Sequence, residues 1–188
     1  MIFGLSALWG GRRNETNWKP ENAEQLINYI ISSQKSDVFY GFELGNEVYG
    51  MEGHLAHIPA HIAAQDFIRL RNILQIMNPN SKWKVIGTDT AMDIQWTKDF
   101  FSNGTSNNLV DIFTWHEYPL GSGKSDNISA EIMDPTFTDS VRYRVQTYQR
   151  KNALPPGMKL WMGETGGAYG SGKNGVTNRF MSDFVRYI

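Results

Sequence analysis

Apolar residues along the chain follow two alternating rhythms: short unbroken runs, then longer stretches with apolar positions three and four residues apart. The first predicts buried strands and the second amphipathic helices. Ile2 to Leu5 is a run, and a helix is predicted from about Pro20 to Ser33, where Glu21 and Asn22 lead into Ala23, Leu26, Ile27, Ile30 and Ile31. Val38 to Leu44 predicts a second strand closed by Gly45, Asn46 and Glu47, and Ile62 to Met77 a helix through Ala63, Phe67, Leu70, Ile73 and Leu74, stopped by Asn78 and Pro79. Lys84 to Asp89 predicts a third strand with a helix at about Ile94 to Phe101. Val110 to His116 predicts a fourth, followed by a helix around Asp139 to Arg150. Lys159 to Glu164 predicts a fifth, with the beginning of another helix at Val176 to Ile188. Five β/α units in this alternation imply a parallel sheet with helices outside it, without an internal repeat. Gly50 to Pro59 and Gly121 to Asp134 are the longest irregular segments, and in β/α folds such loops rim the ligand site.

Composition supports one folded domain over residues 1–188. The chain is 40% hydrophobic and 20% charged, with 18 Gly and 7 Pro, which excludes coiled-coil, collagen-like and disordered classes. A net charge of -1 carries no basic field, so no nucleic-acid partner is expected. Aromatic residues make up 13%, including 6 Trp; flat rings suit sugar C–H faces, and burial in the core would give the same count. No cysteine is present, which excludes disulfides. The sequons at Asn14, Asn103 and Asn127 suit a secreted protein, and for the parent protein a secreted, extracellular or lysosome/vacuole-like setting is expected. The apolar start is followed, not preceded, by Arg12 and Arg13, so it reads as a strand and not as a signal peptide, and no run approaches a membrane span.

Candidate chemistry gathers at the C-terminal ends of the predicted strands: Asn46 with Glu47, Asp89, His116 with Tyr118, and Glu164 with Thr165. In β/α barrels and open parallel sheets that edge is where ligands bind. Two glutamates on different strands provide the acid and the carboxylate that glycosidic cleavage needs. Carboxyls about 5 to 5.5 Å apart would mean retention of configuration, and about 6.5 to 9.5 Å inversion. Glu43 shares the strand face of Glu47 by alternation and reads as a structural partner. Asp89 reads equally as a turn residue, and His54, His57 and His61 as surface histidines without a metal-binding carboxylate motif.

Phe42-Glu43-Leu44-Gly45-Asn46-Glu47, Thr114-Trp115-His116-Glu117-Tyr118 and the stretch Leu160 to Gly172 resemble, in order and spacing, the catalytic segments of the heparanase and β-glucuronidase family, glycoside hydrolase family 79. Phe3 to Leu8 is also similar to a strand of that family, so the resemblance covers nearly the whole chain. The chain departs from the pattern at Glu117, where heparanases have a second histidine, and at Pro119, where they have an aromatic residue. The resemblance implies an α/β fold, a (β/α)8 TIM barrel, of which this chain supplies about strands 3 to 7. It implies Glu47 as general acid/base and Glu164 as nucleophile of a retaining hydrolase. It also implies that Asn46 bonds the sugar 2-hydroxyl, that Tyr118 orients Glu164 with His116 on the same rim, and that Tyr169, Gly170 and Ser171 bind a uronic carboxylate.

The implied partner is a polysaccharide or glycoconjugate of heparan sulfate or arabinogalactan type, and no cofactor or metal is expected. Scattered Lys and Arg outside Arg12 and Arg13 favour the less sulfated substrates. Two readings stay beside it: another retaining barrel glycosidase of arabinofuranosidase or xylosidase type, and a noncatalytic glycan-binding relative. On the family's strand numbering the chain is expected to be an internal fragment. Its open five-stranded arc is then expected to expose apolar edges and fold incompletely on its own.

Overall fold

The computed structural model describes residues 1–12, 17–49, 56–104 and 109–177. They fall into two compact units, one of Met1–Trp115 with Ala153–Gly163, the other of His116–Asn152 with Glu164–Ile188. The helix expected over Val176 to Ile188 lies almost wholly outside the described residues, as do Arg13, His54 and the sequon at Asn14.

The first unit holds most of a five-stranded sheet in the order β1 (Ile2–Leu5), β2 (Gly41–Leu44), β3 (Lys84–Ala91), β4 (Ile112–Glu117) and β5 (Lys159–Thr165), the last two residues of β4 and of β5 counting with the second unit. Strand order equals chain order because each crossover returns to the neighbouring position, the signature of β/α units. β1 and β2 run parallel with Phe3 opposite Phe42 and Leu5 opposite Leu44, and β2 and β3 run parallel with Phe42 opposite Val85. Every residue of β4 is buried, as expected for a parallel strand covered on both faces.

Three helices cover this sheet: α1 (Glu21–Ser32), α2 (Ala60–Met77) and α3 (Ile94–Ser102). α1 buries Ala23, Ile27 and Ile30, and α2 buries Phe67, Leu70 and Leu74, at the spacing that the sequence predicted. The Asp93 carboxylate starts α3 by accepting the Trp96 N–H at 2.9 Å. Between helices and sheet, Phe67 packs edge-on against Phe100, Phe100 stacks on Trp96, and both Phe67 and Trp96 touch Tyr49. Trp18, Trp96 and Trp115 are core residues, whereas Trp9 and Trp161 are exposed.

The second strand is shorter than its apolar pattern predicts. Ser36–Val38 forms a 3-10 turn, held where Trp83 Nε1 donates to the Ser36 carbonyl at 2.9 Å, and the strand begins only at Gly41. The outermost strands, β1 and β5, expose Ile2, Phe3, Trp161 and Met162.

A buried ion pair lies beneath the end of β1. Arg12 Nη2 bonds Asp66 Oδ2 and Arg12 Nη1 donates to the Ala7 carbonyl at 3.1 Å, while Asp66 Oδ1 accepts the Trp18 N–H at 3.1 Å. Burial pushes the Asp66 carboxyl up from its usual 3.8, against the pull of the Arg12 guanidinium. Arg12, which the sequence offered as part of a basic pair, is therefore a structural residue.

The second unit contains α4 (Ile128–Glu131) and α5 (Pro135–Arg150). α5 begins before the predicted Asp139 because Asp134 caps it through the Thr136 N–H and Pro135 takes the first helical position. Leu120, Ile128 and Ile132 form its small core, with Phe137, Ala168 and Val176 packed around them. No described helix is long and apolar enough to cross a membrane.

Candidate active site

In the first unit the polar cluster follows β2 and β3. β2 stops at Leu44, and Gly45 and Glu47 then take left-handed backbone conformations, with φ of 80° and 49°. The alternation that would set Glu43 and Glu47 on one face therefore ends before Glu47, which corrects the sequence reading. Asp89, at the end of β3, is also left-handed at φ 55°. Left-handed residues other than glycine cost energy and gather at functional sites. The two are joined by backbone: the Glu47 N–H donates to the Asp89 carbonyl at 2.9 Å, and the Asp89 N–H donates to Thr114 Oγ1 of β4 at 3.1 Å. Glu47 is half-buried and Asn46 exposed beside it.

Gly163, on β5, faces the same cluster. A Cβ there would lie 2.4 Å from Asp89 Oδ1 and 3.3 Å from Thr114 Cβ, so a larger residue would have to displace the Asp89 carboxylate. Below the strand ends Tyr49 is fully buried, with its hydroxyl donated to the Leu44 carbonyl at 2.7 Å. Burial, with Asp66 nearby, drives that phenol well above its usual range, so it acts as a neutral donor.

In the second unit one oxygen of Glu164 is hydrogen-bonded and the other faces a histidine. Tyr118 donates its hydroxyl to Oε1, and His116 Nδ1 lies 3.9 Å from Oε2. His116 is buried, while the Glu164 side chain is 44% exposed, so the carboxylate remains open to solvent. Thr165 Oγ1 donates to the Glu117 carbonyl at 2.8 Å, tying the ends of β4 and β5 together beside this group. Tyr118 also meets Tyr169 edge to face, with centroids 6.3 Å apart.

Sequence reading gave Glu117 no partner. Its carboxylate is buried, and Oε2 receives Arg144 Nη1 of α5 at 2.8 Å. Burial raises the Glu117 carboxyl above its usual 4.5, opposed by Arg144. Arg144 sits on an exposed helical stretch, and no spacing or composition in the sequence marks it as a partner of Glu117.

Tyr169 begins a turn in which Gly170, Ser171 and Gly172 are all left-handed, at φ of 70°, 69° and 67°. Among the described residues, none of their three N–H groups has a protein acceptor. Tyr169 is 53% exposed, and Gly170 and Ser171 are exposed. Successive N–H groups without protein acceptors in such a turn suit an anion. His57 and His61 are exposed and stand apart from these groups in sequence and burial, in line with surface roles.

A parallel sheet flanked by helices, with carboxylates where its strands end, is the framework of the α/β glycosidase barrels. The fold is shared with a solved endo-laminarinase from Formosa Hel1_33_131, at a TM-score of 0.61 and 14% identity, covering 96% of this chain and 53% of that one. Residues 1–187 match the family described as glycosyl hydrolase family 79, N-terminal domain, and the chain belongs to that family. It is 32% identical to heparanase-like protein 3 of Arabidopsis thaliana over 98% of its own length, and 31% identical to the heparanase of Rattus norvegicus over 98%. It is 26% identical to the baicalin-beta-D-glucuronidase of Scutellaria baicalensis over 89%. The chain spans 35%, 34% and 32% of those three proteins.

Proposed function

We propose that this chain carries the catalytic glutamates of a retaining hydrolase that cleaves β-glucuronide linkages in uronic-acid-containing glycans. The observation that carries the proposal is the clasp on Glu164: an open carboxylate with one oxygen bonded to a phenol and the other facing a buried histidine, as an oriented nucleophile requires. Glu164 attacks the anomeric carbon while Glu47, in its acid form, protonates the departing glycosidic oxygen and the C–O bond breaks. Glu47 then takes a proton from water, whose oxygen displaces Glu164 and releases the sugar with its configuration kept. Asn46 bonds the sugar 2-hydroxyl, a contact that strengthens as positive charge develops on the ring. Tyr169 and the N–H groups of Gly170 and Ser171 receive the uronic carboxylate.

Membership of the family and the names of the heparanase and glucuronidase relatives support a glucuronide over other sugars. The sparse basic residues support a lightly sulfated glycan such as an arabinogalactan over heparan sulfate. On the same reading, residues 1–188 are part of an eight-stranded barrel in a secreted or lysosome-like setting, and barrel closure would cover Ile2, Phe3, Trp161 and Met162.

Hydrolysis of a chromogenic β-glucuronide, followed by NMR of the first-formed anomer, tests the proposal. Retention is expected, with activity lost in Glu47→Gln and in Glu164→Gln. An inverted product, an unchanged rate in either variant, or faster turnover of an arabinoside or xyloside would sink it.

A further inference from the structure

The turn from Tyr169 to Gly172 does not hold its shape alone. The loop that follows β4 runs alongside it as a short parallel bridge, Ser122 opposite Tyr169: the Tyr169 N–H donates to the Gly121 carbonyl at 2.9 Å, and the Gly123 N–H donates to the Tyr169 carbonyl at 2.9 Å. One step earlier the Leu120 N–H donates to the Gly167 carbonyl at 3.0 Å. The two loops approach so closely at Gly123 that an added Cβ would lie 2.4 Å from the Gly172 carbonyl carbon and oxygen, both backbone atoms that cannot turn aside. At the far end Lys173 reaches back, its Nζ donating to the Ser125 carbonyl at 2.8 Å and standing 3.3 Å from Asp126 Oδ1. Its own N–H donates to Thr177 Oγ1 at 2.8 Å, closing the turn from the other side.

These contacts hold three consecutive left-handed residues, one of them Ser171, in a conformation that an unsupported chain abandons. They leave the N–H groups of Gly170, Ser171 and Gly172 without a protein acceptor among the described residues, beside a Lys173 side chain that is partly buried. A donor array distinguishes charged from neutral ligands only while its geometry is held, because hydrogen bonds weaken steeply with misalignment.

We propose that residues 121–126 are a clamp for the 169–173 turn, with Gly123 as the contact that cannot be enlarged and Lys173 as the latch. Discrimination between a uronic acid and the corresponding neutral sugar is thus set by a loop that does not itself touch the substrate. Gly123 and Lys173 are positioning residues, and the inference rests on the reading that the turn receives the uronic carboxylate.

The test uses the full-length protein with paired chromogenic β-glucuronide and β-glucoside substrates, together with hydrogen exchange of the turn amides. In Gly123→Ala and Lys173→Met, kcat/KM on the glucuronide is expected to fall by about tenfold or more, chiefly through KM, with the glucoside changed by less than about threefold. Exchange at residues 169–173 is expected to quicken, and Lys173→Arg to restore both readouts. Unchanged exchange at the turn in both variants, or equal loss on the two substrates, overturns the clamp. Quickened exchange in variants of a protein that shows no preference for the glucuronide leaves the clamp standing as a structural device but refutes its role in discrimination, and the carboxylate assignment fails with it.

Discussion

Tyr118 donates its hydroxyl to Oε1 of Glu164, a residue 46 positions later in the chain. Tyr118 follows the fully buried strand β4, and its ring is braced edge-on by Tyr169, so the donor is held in place before any ligand arrives. A preset donor costs no reorganisation during a reaction, and a charge-assisted bond of this kind is stronger than one between neutral groups.

Removing that hydroxyl in Tyr118→Phe keeps the ring packing. The loss of one hydrogen bond to a charged group costs about 2 kcal/mol, which corresponds to roughly thirtyfold in kcat/KM on a chromogenic β-glucuronide. A variant with wild-type kcat/KM and unchanged melting temperature would show that the contact is not used in catalysis.

Gly163→Ala forces a methyl group against Asp89 Oδ1, where an added Cβ lies at 2.4 Å. Overpacking of this kind costs about 1–3 kcal/mol, read as a lower midpoint in urea unfolding. Activity is expected to drop as well, because Gly163 immediately precedes Glu164. Full stability in the variant would mean that Asp89 moves aside freely.

Arg12→Met leaves the Asp66 carboxylate buried without its cation. Breaking a buried pair from one side costs about 3–5 kcal/mol, whereas replacing both partners with apolar residues restores much of the loss. Urea unfolding of Arg12→Met and of Arg12→Met with Asp66→Leu measures both. A double variant no more stable than the single one would show that the Trp18 N–H, deprived of its acceptor, dominates the cost.

Glu117 makes stability depend on pH in the direction opposite to an ordinary salt-bridged carboxylate. Its folded carboxyl is raised by burial more than Arg144 lowers it, so it keeps a proton where the unfolded chain has released one. The stability it contributes is complete below the usual 4.5 and fades as pH rises through the raised value. Glu117→Gln cannot titrate, so its melting temperature is expected to gain on the wild type as pH rises from about 4.5 to 8. Parallel curves over that range would contradict the account.

The five strands and the main helices were legible because each is written locally, as a short apolar run or as apolar positions three and four residues apart over a few turns of chain. Boundaries slipped where a contact from elsewhere intervened. Trp83 holds the Ser36 turn and shortens β2, and the cap made by Asp134 and Pro135 lengthens α5. Glu47 and Glu164 were visible as carboxylates at strand ends, but the left-handed backbone of Glu47 was not, since the Gly-Asn-Glu segment carries no period to read.

The alternation of strand and helix, the parallel sheet and the family resemblance could all be read from the chain. Local apolar spacing and short ordered motifs survive in one dimension. Only the folded structure showed that Arg144 answers Glu117, that Arg12 pairs with Asp66, and that Gly123 lies against Gly172. Each of these pairs lies tens of residues apart in the chain. What joins them is the packing of distant helices, loops and strand ends in the folded chain, which no pattern along the chain encodes.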